Sequence, residues 1–227
     1  MDNTPNILKN KKKVLVDGFL IRNTLDTDFT SPHWNPHRLA WYSNKYYIPD
    51  DEIWIDRIFK DEIGLMLKVF EMEVQATDFE SYSEEREMMK KKLTLPPPAP
   101  SFIVREEETD TAAIKFVDGT VVRKYIDPGF VFGGHSFVYD YVPAREIWID
   151  GKIDSKEIKY ILTHETVERN LMAQGRTYDI AHDHATAEEK EARRNDGIGF
   201  YPGDSNYPWY NLSNEEIIKK YAVEVLK

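Results

Sequence analysis

The sequence predicts an α+β protein of two related halves, each a small antiparallel sheet with a helix. The first observation is an internal repeat, because Glu-Ile-Trp-Ile-Asp occurs at residues 52–56 and again at residues 146–150. A second matched pair, Val-Asp-Gly followed by an arginine, occurs at residues 16–22 and 117–123. A shared pentapeptide that contains tryptophan is rare by chance, so the two stretches indicate a duplicated unit.

A proline-rich stretch lies between the two copies. Four of the five residues from Pro96 to Pro100 are proline, a composition that favours an extended and semi-rigid spacer over a ligand for a proline-binding partner. We therefore predict a degenerate N-terminal repeat at residues 1–92, a linker at 93–112 and a C-terminal repeat at 113–227. The matched pairs are offset by 101 and 94 residues, so the first copy carries seven additional residues, which we place around residues 31–44.

The C-terminal copy predicts strands followed by helices. Residues 113–126 have the pattern of a hairpin with its turn at Asp118-Gly119, and residues 137–142 and 146–149 predict further strands. Asp154 is a candidate N-cap for a helix over residues 156–173, and Gly175 stands where a left-handed C-terminal cap belongs. Thr177 can cap a second helix to about residue 194, and Ser213 begins a capping box for a last helix.

Composition excludes several classes of function. Forty acidic against 30 basic residues give a net charge of −10, which argues against nucleic acid as a partner. No apolar run long enough to cross a bilayer and no signal peptide are visible, so we expect a cytoplasmic protein without a membrane partner. The chain has no cysteine, so any metal must be held by His, Asp or Glu side chains.

The predicted helix over residues 156–173 has an apolar stripe that continues into carboxylates. Ile158, Ile161 and Leu162 share one face, and the helical period extends that face to Glu165 and Glu168, with His164 at its border. Buried carboxylates require a cation, a hydrogen-bond network or an opening to solvent. A metal ion meets that requirement directly.

Helical rise predicts which side chains meet across the helix pair. With the turn at Gly175, Glu168 and His182 each lie roughly 10 Å from it, and His164 lies about one turn further. We predict His164, Glu168 and His182 as ligands of zinc and Glu165 as the general base, by analogy with the His-Glu-x-x-His helix of metallopeptidases. His184 points about 200° around the helix from His182 and is a second choice.

The N-terminal copy provides an internal comparison for this site. At the offset of 94 residues, His164 aligns with Phe70, Glu168 with Val74 and Glu165 with Glu71. Two of the predicted ligands thus correspond to apolar residues. The pattern is that of a copy that lost its site, or of a site gained in the second copy.

The stretch from residue 146 to 193 resembles an uncharacterised family of bacterial and phage proteins. The shared pattern is His-Glu-x-x-Glu-Arg-x-x-Met, then Gly, Tyr and Ala-His-x-x-Ala, matched here by His164, Glu165, Glu168, Arg169, Met172, Gly175, Tyr178, Ala181, His182 and Ala185. The resemblance covers about 50 of the 227 residues. It implies a zincin-like fold and a metal site in a protein of a bacterial or phage-infected cell, and it implies no particular substrate.

Two other interpretations stay open at this point. Two histidines and one carboxylate also form the iron site of oxygenases, so iron is an alternative to zinc. The same residues with Arg169 can instead form a buried polar network in a non-catalytic interaction or structural protein, such as a phage accessory factor. His135, after two glycines, is a candidate substrate contact or distant fourth ligand, and the strand at 146–149 can offer an edge to an extended peptide or protein partner.

Overall fold

The computed structural model describes residues 11–30, 48–49, 51–75, 101–109, 112–208 and 213–226. The chain forms two compact units, of which the first contains residues 1–77 and 200–227 and the second contains residues 78–199. The segment predicted as an insertion around residues 31–44 and the proline run at 96–100 lie outside the described residues, as do the side chains of Glu71 and Val74.

The described residues form seven strands and six α-helices in two mixed sheets, so the α+β prediction is confirmed. In chain order the elements are β1 (Lys12–Val16), α1 (Gly18–Arg22), β2 (Glu52–Asp56), a 3-10 helix (Arg57–Glu62), α2 (Ile63–Gln75), β3 (Ile103–Glu108), β4 (Ala113–Val117), α3 (Gly119–Tyr125), β5 (Gly133–His135), β6 (Glu146–Asp150), α4 (Ser155–Ala173), α5 (Tyr178–Asn195), α6 (Asn214–Tyr221) and β7 (Ala222–Leu226). Among the described residues no helix is long and apolar enough to cross a membrane.

The first unit contains a three-stranded sheet in the order β2-β1-β7. Strands β1 and β2 run parallel, and β7 pairs with β1 in the antiparallel direction. Val14, Ile21, Trp54 and Tyr221 are among the buried residues of its core. Because β7 pairs with β1, the end of the chain belongs to the N-terminal unit, whereas the predicted boundaries assigned it to residues 113–227.

The second unit contains a four-stranded sheet in the order β3-β4-β6-β5. Strands β4 and β6 are parallel, while β3 and β5 are antiparallel outer strands. The prediction of purely antiparallel sheets is therefore wrong, because a helical connection returns the chain to run parallel to β4. Strand β3 lies inside the segment predicted as a linker, and β6 is an interior strand, so the prediction that it offers a free edge is also wrong.

The predicted hairpin at residues 113–126 is wrong in its second half. Asp118 does not make a turn but accepts hydrogen bonds from the backbone N–H groups of Thr120 and Val121 at 3.0 and 3.3 Å, and this cap starts α3. An Asp-Gly pair suits both a tight turn and a helix start, and the parallel pairing of β4 with β6 requires the helical connection, in which Val122 is buried. The strand predicted at 137–142 is likewise absent, because the N–H groups of Val138 and Tyr139 fold back onto the carbonyl of His135.

An equivalent buried ion pair occurs in each unit. Arg22 donates to Asp56 at 2.9 Å and to the carbonyl of Phe29 at 3.2 Å. Arg123 makes the same two contacts, with Asp150 at 2.7 Å and with the carbonyl of Phe130 at 3.2 Å. A Cβ atom at Gly119 would lie 1.9 Å from Oδ2 of Asp150, and one at Gly18 would lie 1.8 Å from Oδ2 of Asp56. These contacts explain why Val-Asp-Gly, the following arginine and the final aspartate recur together.

Candidate metal centre

Helices α4 and α5 of the second unit carry the predicted site residues. Asp154 accepts a hydrogen bond from the backbone N–H of Lys156 at 2.9 Å, and Gly175 has the positive φ of 87° that ends the helix, so both predicted caps are confirmed. The connection to α5 is short, which returns the second helix along the first. Ala181 and Ala185 are fully buried, and their small side chains allow the two helices to approach closely.

The structure brings His164, Glu168 and His182 together. Nε2 of His164 lies 3.2 Å from Nδ1 of His182, and that Nδ1 atom lies 2.9 Å from Oε2 of Glu168. The third separation, from Nε2 of His164 to Oε2 of Glu168, is 3.5 Å. Four ligand atoms placed tetrahedrally around zinc at its usual bond lengths are roughly 3.3 Å apart. The three atoms therefore have the spacing of one face of a zinc tetrahedron, and His184 is exposed and outside this group.

The electrostatics of the three residues reflect their burial and mutual contacts. Burial alone would raise the pKa of Glu168, but its contacts with His135, His164 and His182 outweigh burial and hold that pKa far below its usual value. Burial opposes protonation of His164, yet Glu168 and Glu189 raise its pKa well above the usual value. A proton on His164 thus balances part of the carboxylate charge. Metal binding here would release protons and would depend on pH.

Glu165 follows His164 in sequence and is also buried, with 9% of its surface exposed. Burial, reinforced by the charge of Glu168, raises its pKa to about 8. Ligand atoms of Glu165, Glu168 and His135 all lie within 4.8 Å of one another. The predicted general base is therefore close to one of the three candidate ligands, Glu168.

His135 approaches the other side of Glu168 from strand β5. Its ring is fully buried, and Nε2 lies 3.1 Å from Oε1 of Glu168, although the angle is not that of a hydrogen bond and Nε2 has no hydrogen-bond partner among the described residues. Its Nδ1 atom accepts the backbone N–H of Phe137 at 3.3 Å, so the neutral ring carries its proton on Nε2. His135 accordingly lies beside a candidate ligand, with its protonated nitrogen 3.1 Å from a carboxylate oxygen. Chain spacing gave no measure of this approach, because β5 and α4 meet only in the fold.

Three charged residues behind His164 were not assigned a role from the sequence. Glu189 contacts Nδ1 of His164, Arg193 donates to Glu189, and Glu157 accepts from Arg193. The available signal was the spacing of Glu189 and Arg193, which are four residues apart on α5. Arg169, which was expected in a polar network with the histidines, instead donates to the carbonyl of Ala144 at 2.9 Å.

Comparison of the chain with protein-family models, with curated proteins and with solved structures finds no match. The functional interpretation therefore depends on the residues of the site themselves. Their chemistry is that of two imidazole nitrogens and one carboxylate oxygen converging on one point, with a second carboxylic acid beside them.

Proposed function

We propose that the second unit binds one zinc ion through Nε2 of His164, Nδ1 of His182 and Oε2 of Glu168, and that it is a hydrolase of the zincin type. The observation that carries this proposal is the triangle of three ligand atoms with separations of 2.9, 3.2 and 3.5 Å. Two histidines and one carboxylate are an established catalytic zinc set, which leaves a fourth position for water.

The chemistry follows from the position of Glu165. A zinc ion in this site supplies Lewis acidity, which lowers the pKa of a bound water and polarises a substrate carbonyl. Glu165 is the group available to accept a proton at its carboxylate oxygen, since its ligand atom lies within 4.8 Å of one from Glu168. Its pKa of about 8 without a cation is expected to fall beside one, which favours the ionised base near neutral pH. We take a peptide carbonyl as the substrate class.

A polar network without metal is the second candidate. It is favoured by the contacts that the cluster already makes, because His164 and His182 each lie within hydrogen-bonding distance of a carboxylate. The contact of Arg169 argues against this candidate, because its side chain donates to a backbone carbonyl outside the cluster. Iron in place of zinc would use the same three ligands, and the identity of the bound metal distinguishes the two.

Metal analysis followed by a peptidase assay tests the proposal. Protein purified without added metal should contain zinc, and His164→Ala should remove it, while His184→Ala on the exposed face of α5 should not. Less than about 0.1 metal per chain, unchanged by His164→Ala, would leave only the polar network. If zinc is present, Glu165→Gln should retain the metal and abolish cleavage of a peptide library. Cleavage that persists in this variant would remove Glu165 from the role of base.

We also propose that the two units descend from one duplicated βα unit, and that the first unit has no metal site. The equivalent contacts of Arg22 and Arg123 support this, as does the burial of Phe70 at the position that aligns with His164. The first copy then specifies its own test, in which His164→Phe and Glu168→Val are introduced together. The double variant should fold cooperatively and bind no zinc. Failure to fold would show that the aligned positions are not structurally equivalent.

A further inference from the structure

Behind His164 lies a continuous row of buried charged side chains, which we call the buried charge network: Glu189, Arg193 and Glu157. Nδ1 of His164 lies 3.0 Å from Oε2 of Glu189. Arg193 donates to Oε1 of Glu189 through Nη2 at 2.5 Å and through Nε at 3.1 Å, and to Oε2 of Glu157 through Nη2 at 2.8 Å. The exposed fractions of Glu189, Arg193 and Glu157 are 3%, 0% and 1%.

The charges of the buried charge network do not cancel. Two carboxylates surround one guanidinium, so the group presents a formal negative charge to Nδ1 of His164. Buried ion pairs contribute little net stability because desolvation offsets the attraction, so stabilisation of the helix pair alone is a weak reason for this arrangement. A negative charge on one ring nitrogen, in contrast, has a direct effect on the other nitrogen, since it makes the ring a better electron-pair donor.

Packing around Arg193 holds the buried charge network in place. Its guanidinium lies over the ring of Tyr160 at 4.5 Å from the centroid. The N–H groups of Ile198 and Gly199 both bond the carbonyl of Arg193 at 3.1 Å, which closes the end of α5 over this residue. A Cβ atom at Gly199 would lie 2.8 Å from Cβ of Arg193, so the turn has space only for glycine. The position of Arg193 is thus determined from three sides.

We infer that Glu189 and Arg193 are positioning residues for the metal centre. Glu189 accepts the Nδ1 proton of His164 and thereby presents the unprotonated Nε2 atom to the ion, while Arg193, anchored by Glu157, holds the Glu189 carboxylate in place. This inference rests on the proposed zinc site. It adds that the affinity for zinc is set from outside the ligand triangle, by residues on the last two turns of α5 and the first turn of α4.

The test compares zinc affinity among variants with a matched control. Glu189→Gln keeps the size and an oxygen acceptor but removes the charge, and Arg193→Lys keeps a charge but removes the guanidinium contacts. Arg123→Lys is the control, because Arg123 is equally buried and pairs in the same unit with Asp150, which is not a residue of the site. All three should lower the melting temperature of the metal-free protein. Only the first two should weaken zinc binding, by about 10- to 100-fold in competition with a chromophoric chelator.

Nitrogen NMR of the zinc-loaded protein provides a second readout that does not depend on stability. His164 should show a protonated Nδ1 and a metal-bound Nε2, and Glu189→Gln should expose the Nδ1 proton to faster solvent exchange. Zinc bound to Nδ1 would overturn the inference, and so would wild-type affinity in both Glu189→Gln and Arg193→Lys. If the wild-type protein binds no zinc, the proposed function fails and the inference fails with it. If the wild type binds zinc and both variants bind it with the same affinity, the inference fails while the proposed function stands.

Discussion

Nε2 of His164 lies 3.2 Å from Nδ1 of His182, although the two rings come from different helices. The ring planes meet at 66° with their centroids 4.8 Å apart, and Tyr178 stacks on the outer face of His182 at 5.2 Å. Two ring nitrogens at this distance either share a proton or face a common cation. Since Oε2 of Glu168 completes the triangle, substitutions at the histidine pair give the most direct test of metal binding.

His182→Gln should reduce zinc affinity much more than His184→Gln, although the two residues are neighbours on one helix. His182 contributes a nitrogen to the triangle, whereas the His184 side chain is exposed. Loss of a ligand should cost more than the 10- to 100-fold that is typical for loss of an outer partner, so about 100-fold or more is expected. Isothermal titration with zinc measures the difference. Equal affinities in the two variants would contradict the assignment of His182.

Zinc should bind with a stoichiometry of one per chain, despite a second group of potential ligands at His135, Glu165 and Glu168. Nδ1 of His135 accepts a backbone N–H, so its Nε2 atom carries the proton and cannot donate an electron pair to a metal. We expect His135→Gln to weaken binding while leaving one ion per chain, because the ring only supports Glu168. Elemental analysis of the zinc-saturated protein measures the number of ions per chain. Two ions in the wild type and one in His135→Gln would contradict this prediction.

Glu165→Gln should stabilise the metal-free protein increasingly as the pH rises. The pKa of Glu165 is about 8 in the folded chain, against 4.5 for an ordinary glutamate, because burial disfavours its charge. Its contribution to stability is fully present below the ordinary pKa and is lost as the pH rises through the folded value. An amide does not ionise, so the advantage of the variant should grow by a few kcal/mol between about pH 5 and about pH 8.

Urea unfolding in the presence of a chelator measures this difference at each pH. His164 also titrates with a raised pKa, but it is present in both proteins, so its contribution should largely cancel in the comparison. A difference in unfolding free energy that stays constant with pH would contradict the raised pKa of Glu165. Addition of zinc should remove much of the pH dependence in the wild type, since a nearby cation favours the ionised carboxylate.

Gly119→Ala should destabilise the second unit, because the new methyl group would lie 1.9 Å from Oδ2 of Asp150, a carboxylate fixed by Arg123. We expect a loss of about 1 to 3 kcal/mol in the free energy of unfolding, typical of overpacking. Gly64→Ala is the control, since no atom of the described residues lies within 4 Å of the place that its methyl group would take, and Gly64 lies in a helix. That change should be neutral or stabilising by up to about 1 kcal/mol. Thermal unfolding that ranks the two variants the other way would contradict the close packing at Gly119.

Much of the secondary structure near the site could be predicted from local signals. The start of α4 follows from Asp154 and its end from Gly175, and the capping box at Ser213 begins α6 as predicted. Thr177 stands at the N-cap position of α5, but its side chain makes no capping hydrogen bond there. Caps act within one turn of the chain, so short sequence patterns specify them. Strand direction was wrongly predicted for the same reason, since Asp118-Gly119 is a local signal for two structures and only the pairing of β4 with β6 selects one.

By itself the sequence determined which residue types are available for chemistry and which helices carry them. With no cysteine in the chain and His164 and Glu168 one turn apart on one helix, the spacing of a helix was enough to predict that His182 would meet these two residues. Helical geometry is regular, so distances along it can be calculated before the fold is known.

Only the tertiary structure decided what surrounds those residues. It placed His135 of β5 against Glu168, and it connected His164 through Glu189 and Arg193 of α5 back to Glu157 on α4. These contacts join positions far apart in the chain, and their formation depends on sheet pairing and helix packing, which no local pattern encodes. The three candidate ligands could thus be brought together from the sequence, whereas the residues that contact them from behind were determined by the packing of the second unit.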